Sequence, residues 1–256
     1  LAGLNNIAVL PAAVKLELTM KVTLLNWTQC AKDLLIFTKQ TRLKMSAGGL
    51  EDISKMSEVE KQEQLDYMVN TIKSSWEFMD FTFMIEGVSR AFTHQFVRNR
   101  MGSYAQQTMR ILDVSGFEYI TGPSIKTEYQ KHIYDGAMAK INEAYDALID
   151  AGVAIEDARG LLPTNICTNI VAKYNLRTLS DMLQSRQSPR TQGEFREVAE
   201  LMFTTVVEAE PWVEPFLRNQ KHYALTALEQ IVNNCAKDGE QTIAWMKLID
   251  QVRNSK

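Results

Sequence analysis

"HQFVRNRMGSYAQQTMR", residues 94–110, holds Arg98, Arg100 and Arg110 and not one carboxylate, in a chain whose formal net charge is −3. The absence of acids runs further, from Glu86 to Asp113, and Arg90 and His94 add two more basic groups inside it. A guanidinium pairs bidentately with phosphate or carboxylate, so several of them without a local counter-charge read as a site for an anion. A solvated basic face is the competing reading. Gln95, Gln106 and Gln107 add amides able to read a pyrimidine edge. The apolar spacing of Val88, Phe92, Phe96 and Val97 predicts a helix, Gly102 marks a loop, and "SYAQQTMRIL" predicts an extended segment. The stretch therefore straddles a helix end and a strand.

The rest of the chain bounds what that anion is. At 256 residues, 45% hydrophobic and 23% charged, it fits a globular protein with a substantial core. No run reaches the roughly 18 apolar residues that span a bilayer, and "IAVLPAAVKLELTM" is broken by Pro11, Lys15 and Glu17. We therefore expect no transmembrane segment. Residues 1–19 precede Met20 and the first strand-like run, and we set them aside as a leader or a cloning remnant. Cys30, Cys167 and Cys235 are odd in number and lie outside any C-x-x-C pair, which argues against a disulfide framework or a zinc site and for a cytoplasmic home. The acidic balance argues against a nucleic-acid partner and for a small anion, because affinity for a phosphate backbone scales with the phosphates neutralised.

Helical periodicity dominates. "KVTLLNW" predicts a first strand, followed by a helix that Thr28 caps and that carries Ala31, Leu34, Leu35 and Phe37. "SAGGLEDISKMS" reads as a loop, and Ser57 opens a second helix running to about Lys73. "WEFMDFTFMIEG" suits a strand, residues 124–150 a long amphipathic helix stopped by Gly152, and "AIEDARGLLP" a short helix ended by Pro163. "ICTNIVAKYN" predicts a strand, "LRTLSDMLQSRQS" a helix, and Thr191 with Glu194 a capping box opening the next, before two final helices. The expectation is a single helix-rich α+β domain over residues 20–256 with a small antiparallel sheet.

A second basic segment, residues 173–196, carries Lys173, Arg177, Arg186, Arg190 and Arg196 against Asp181 and Glu194 alone. Two separated segments suggest convergence on one ligand. Arg159 lies between them, although an i,i+3 pair with Glu156 on an exposed helix accounts for it equally. No G-x-G-x-x-G or G-x-x-x-x-G-K-[ST] is present, and His94, His132 and His222 lack partners at metal-ligand spacing. Ser103 and Thr108 have no neighbouring general base in the sequence.

"RNRMGSYAQQTMR" resembles the signature of the flavin-dependent thymidylate synthases, R-H-R-x-x-S followed at fixed spacing by a hydroxyl residue and an arginine, with Arg98, Arg100, Ser103, Thr108 and Arg110 on those positions. "SSWEF" is similar to the family's S-x-x-E, "EDARGLLP" to its A-R-x-x-L-P, and "NLRTLSDMLQSRQSPRTQGEFRE" to its N-x-R, R and A-Q-x-E-I-R, in the family's order. The resemblance implies a homotetramer with active sites at subunit interfaces. It also implies FAD-dependent reductive methylation of dUMP to dTMP, with methylenetetrahydrofolate as one-carbon donor and NADPH as reductant.

By position, the resemblance implies that Gln95, Gln106, Thr108, Arg110, Arg159 and Arg186 bind dUMP, with Thr108, Arg110 and Arg186 as the catalytic set. Ser74, Arg98, Asn99, Arg100, Asn175 and Arg177 hold FAD on the same ground, with Asp181 and Arg190 at further flavin-side positions. Asn99 stands where the signature has histidine and Thr108 where serine is usual. Asn99 leaves open a pyrimidine hydroxymethylase or a catalytically impaired nucleotide- or RNA-binding homologue as alternatives.

Overall fold

The computed structural model of the chain describes residues 19–43, 49–71, 73–186, 191–218, 228, 231–232 and 239–254. Arg190, His222 and Cys235 lie outside them. In chain order the elements begin with β1 (Lys21–Trp27), α1 (Ala31–Leu43), α2 (Leu50–Ser54), α3 (Glu58–Val69) and a 3-10 helix (Lys73–Phe78). β2 (Asp80–Ser89), α4 (Arg90–Phe96), β3 (Ser103–Gln106) and α5 (Glu128–Asp150) follow. Then come α6 (Ile155–Ala158), a second 3-10 turn (Arg159–Leu161), β4 (Cys167–Asn175), α7 (Leu176–Arg186) and α8 (Gly193–Ala209). A 3-10 turn (Pro211–Val213), α9 (Glu214–Leu217) and α10 (Gly239–Asn254) complete the described chain.

The strands form one antiparallel sheet in the order β1-β2-β4-β3, so the architecture is helix-rich α+β. Along β4, Thr168, Ile170, Ala172 and Tyr174 are buried at period two, as a strand with one face on a core requires. β2 and β4 each pass into a helix without a linker. Ser89 Oγ accepts from Phe92 N at 3.0 Å to open α4, and Asn175 Oδ1 accepts from Thr178 N at 2.8 Å to open α7.

Two compact units emerge, each built from separated stretches of sequence: one takes residues 84–98 and 104–171 with the described chain up to Lys21, the other residues 22–83, 99–103 and 172–256. In the first, Phe92 and Phe96 stack with ring centroids 4.9 Å apart, and Met138 and Tyr145 of α5 are buried. In the second, Leu35, Ile36, Leu65, Trp76, Leu179, Phe195 and Phe216 form the core, with the Trp76 and Phe216 rings edge-on at 5.0 Å.

Several boundaries differ from the sequence reading, each for an identifiable reason. Thr28 does not cap α1: its hydroxyl accepts from Asp80 N at 2.8 Å, and the helix starts at Ala31 after Cys30 at φ 55°. The expected loop after Gly49 is the short helix α2, with Asp52 Oδ2 accepting from Gly49 N. α3 ends at Val69 rather than near Lys73, and Trp76 belongs to a 3-10 helix, so β2 begins only at Asp80. The extended segment from Ser103 stops at Gln106 instead of reaching Leu112. α5 starts at Glu128 under a Thr127 cap, not at Ser124, while Gly152 takes φ 82° after its end as expected. Gln192 rather than Thr191 is the N-cap of α8, without a side-chain cap bond.

Candidate active site

In the first unit, the helix before the signature, the strand inside it and the turn after α6 enclose a cavity of about 470 Å³, inside the range of roughly 300–1,000 Å³ usual for small-molecule sites. Arg90, His94, Gln106, Gln107, Thr108, Met109, Glu156, Arg159, Gly160, Leu162, Pro163 and Thr164 line it. Backbone pairing fixes the walls: Ala91 N donates to Thr164 O at 2.7 Å, Arg90 N to Ile166 O at 3.1 Å, and Gln107 N to Asn169 O at 3.1 Å. Each wall is therefore tied to β4 or to the loop before it.

Positive charge on the lining comes from Arg90 and Arg159, with Glu156 as the carboxylate beside them. Among the described residues no carboxylate lies within ion-pair distance of Arg90 or Arg159. Arg90 donates from Nη2 to Gln107 O, but its Nε is buried without a partner among the described residues. Partial burial, and then the neighbouring Arg159 guanidinium, lower the Arg90 pKa from its ordinary value, as expected of two cations placed close together. Arg90 still stays charged at neutral pH, because a guanidinium starts far above that range. Such a pair is stabilised by an arriving anion. Arg159 does not pair with the Glu156 carboxylate, as the exposed-helix alternative required: its Nε donates to Glu156 O at 3.0 Å. The Glu156 carboxylate instead faces Arg110, Oε2 to Nε at 3.6 Å.

Gln106, Thr108 and Arg159 thus meet at one cavity, and Arg110 joins it through Glu156, with its backbone N also donating to Thr108 Oγ1 at 3.1 Å. Gln95 is exposed on α4 and does not line this cavity. Arg98 is exposed just after α4. Arg90 and His94, one helical turn apart on α4, are wall residues that the sequence reading noted only as basic; their i,i+4 spacing was the available signal.

The second unit gathers a different set around the Lys73–Phe78 3-10 helix. Ser74 Oγ accepts from Arg42 Nη1 at 2.7 Å, Lys73 Nζ stands 3.3 Å from Asp181 Oδ1, and Arg177 Nη1 is 2.6 Å from Glu77 Oε1. Arg177 is therefore paired with an acid from outside its own segment, where the sequence reading counted only Asp181 and Glu194 against it; Lys173 likewise pairs with Asp80 at 2.7 Å. Asn175 spends its amide oxygen on the α7 cap. The Arg186 guanidinium lies over the Phe195 ring, 4.3 Å from its centroid, with Nε buried and unpartnered among the described residues. Asn99 and Arg100 open the short segment 99–103, where Gly102 N donates to Asn99 O at 3.1 Å.

Fold and site together define a helix-rich α+β protein with a polar surface pocket that carries two arginines. The family model of the thymidylate synthase complementing protein matches residues 23–212, and the chain belongs to that family, the flavin-dependent thymidylate synthases. The flavin-dependent thymidylate synthase of Clostridium tetani is 33% identical over 211 residues, which are 75% of this chain and 84% of that protein. The enzyme of the same name from Geobacter sulfurreducens is 38% identical over 144 residues, 55% of this chain and 62% of that one. Thymidylate synthase X of Helicobacter pylori, solved with FAD and dUMP, shares the fold at a TM-score of 0.62 and 17% identity, over 78% of this chain and 100% of that one.

Proposed function

We propose that the Arg90–Arg159 cavity binds dUMP and that the chain methylates it at C5 to dTMP, with FAD as cofactor and methylenetetrahydrofolate and NADPH as co-substrates. The observation that carries this reading is the convergence of two carboxylate-free guanidinium groups with Gln106 and Thr108 of the signature segment. Arg159 and Arg90 hold the phosphate, Thr108 contributes its hydroxyl, and Gln106 meets the neutral part of the nucleotide. Arg110 and Arg186 complete the substrate set in this reading, with Gln95 beside them.

The donor set around the Lys73–Phe78 helix fits a dinucleotide: Arg42, Lys73 and Arg177 supply positive charge, Ser74 a hydroxyl, and the Phe78 ring is 57% exposed. Ser74, Asn175 and Arg177 would hold FAD there, with Asp181 and Arg190 nearby in sequence and Arg98, Asn99 and Arg100 from the signature. When bound, FAD supplies the hydride that completes the methyl group. The protein's own task is to orient and polarise the pyrimidine, which needs no covalent nucleophile. A homotetramer, in which copies complete one another's sites, and a cytoplasmic location belong to the same reading.

Mass spectrometry of the nucleotide formed from dUMP with FAD, NADPH and methylenetetrahydrofolate tests it. dTMP is the expected product. A 5-hydroxymethyl product supports the hydroxymethylase reading, one of the alternatives that Asn99 in the histidine position leaves open. Binding of dUMP and FAD without any product identifies a catalytically impaired homologue.

A further inference from the structure

Gln106 is a neutral polar side chain on the lining of the cavity, and a carboxamide can present either its oxygen or its NH2. Which end faces the ligand is decided by a residue not in the substrate set. Thr93, fully buried on α4, has one hydroxyl proton. It donates that proton to Arg90 O at 3.0 Å. Having spent it, Thr93 Oγ1 can only accept, and it accepts from Gln106 Nε2 at 2.8 Å. The reversed carboxamide would take the same proton on Oε1 and leave the Arg90 carbonyl without it, so that arrangement has one hydrogen bond fewer. Gln106 cannot escape by moving its backbone, because the next residue, Gln107, donates its N–H to Asn169 O and accepts from Arg90 Nη2.

We propose that Thr93 is a positioning residue that locks Gln106 with its Oε1 as the acceptor offered to the ligand. Resting on the dUMP reading above, this assigns the partner of Gln106 by chemistry: a hydrogen-bond donor on the neutral part of the nucleotide. Uracil N3–H and the 3′-hydroxyl of the sugar are the candidates. Cytosine presents an acceptor at N3, and a 2′,3′-dideoxy sugar presents nothing. A site built around a fixed acceptor rejects a ligand lacking the matching donor more strongly than an adaptable site does.

The test compares the affinities of dUMP, dCMP and 2′,3′-dideoxyuridine monophosphate for the unsubstituted protein, Thr93→Val, Thr93→Ser and Gln106→Leu. Thr93→Val keeps the shape and removes the hydroxyl, and dUMP affinity falls about 3- to 10-fold, the equivalent of one net hydrogen bond. One preference for dUMP shrinks with it: over dCMP if N3–H is the partner, over the dideoxy analogue if the sugar hydroxyl is. Thr93→Ser restores that preference. Gln106→Leu, at a half-buried position that tolerates the change should Thr93→Val fold poorly, abolishes the same preference. A residue that merely stabilised α4 would lower all three affinities alike. Folded Thr93→Val or Gln106→Leu protein with both preferences intact overturns the assignment while dUMP binding stands. Failure of the unsubstituted protein to bind dUMP overturns the dUMP reading and the assignment with it.

Discussion

Arg177 and Glu77, 100 positions apart in the chain, hold each other at 2.6 Å on the surface of one unit. Both side chains are about half exposed, so the pair itself contributes only about 0–1 kcal/mol to stability. On the proposed function its larger consequence concerns binding, because a cofactor phosphate seated at Arg177 would compete with Glu77. Glu77→Gln keeps the shape and removes the competitor. We expect FAD affinity, followed by flavin absorbance on titration, to rise about 2- to 5-fold at low salt, with the gain shrinking as salt screens the charges. Thermal stability stays nearly unchanged. A loss of FAD affinity instead makes Glu77 a contributor to the flavin site.

That pair also shows where sequence reading stops. The strand Lys21–Trp27, the Gly152 helix stop and the α7 start were legible because their signals are local: alternation, a left-handed glycine, apolar spacing. Thr28 carried an equally good helix-cap signal, but the Asp80 amide of β2 claims its hydroxyl. Charge was misleading for the same reason. A segment free of local acids is not free of acids in space, and Glu77, Asp80 and Glu156 reach Arg177, Lys173 and Arg110 from elsewhere in the chain. Gln106 was noted for its amide and Arg159 for its charge before the family resemblance added Thr108 to the expected substrate set, and all three line the cavity. Arg90 was noted only as basic and Thr93 was not singled out, because their contacts depend on how α4 meets β3 and the turn after α6.

Arg159→Ala and Arg110→Ala separate the free guanidinium from the shielded one. Arg159 has no carboxylate partner among the described residues, whereas Arg110 shares its charge with Glu156. A charge-assisted contact contributes about 1.5–3 kcal/mol, so Arg159→Ala should weaken dUMP binding by roughly 10- to 100-fold. Arg110→Ala should cost less, and Glu156→Gln should tighten binding by freeing Arg110. Isothermal titration with dUMP at fixed ionic strength ranks the three. An Arg110→Ala loss exceeding that of Arg159→Ala reverses the assignment of the principal phosphate partner.

Arg186 is oriented by an aromatic ring rather than by a carboxylate, its guanidinium 4.3 Å from the centroid of the fully buried Phe195. A cation–π contact of this kind contributes about 0.5–2 kcal/mol. Phe195→Leu retains an apolar core residue but removes the π face, and costs some packing as well. If Arg186 serves the nucleotide, apparent dUMP affinity should fall about 2- to 10-fold in protein that remains folded, with Arg186→Ala epistatic to it. Additive losses in the double variant would show that Phe195 acts by core packing alone.

The N-terminus of α3 supplies a pH-dependent contribution to stability. Ser57 Oγ accepts from Glu60 N at 3.3 Å, while the Glu60 carboxylate accepts from Ser57 N at 2.8 Å and from its hydroxyl at 2.7 Å. The Ser57 hydroxyl, then the Ser57 amide, hold the Glu60 carboxyl below its ordinary value of 4.5. Because the folded value is the lower one, its contribution is fully present above the ordinary value and is lost as pH falls through the lowered one. Ser57→Ala removes the cap, at a neutral-pH cost of about 1 kcal/mol. The Tm difference between Ser57→Ala and the unsubstituted protein should therefore be constant from pH 8 down to about 5 and narrow below 4.5, where the reciprocal carboxylate is being protonated. A difference that stays constant through that window would assign the whole effect to the serine oxygen and none to Glu60.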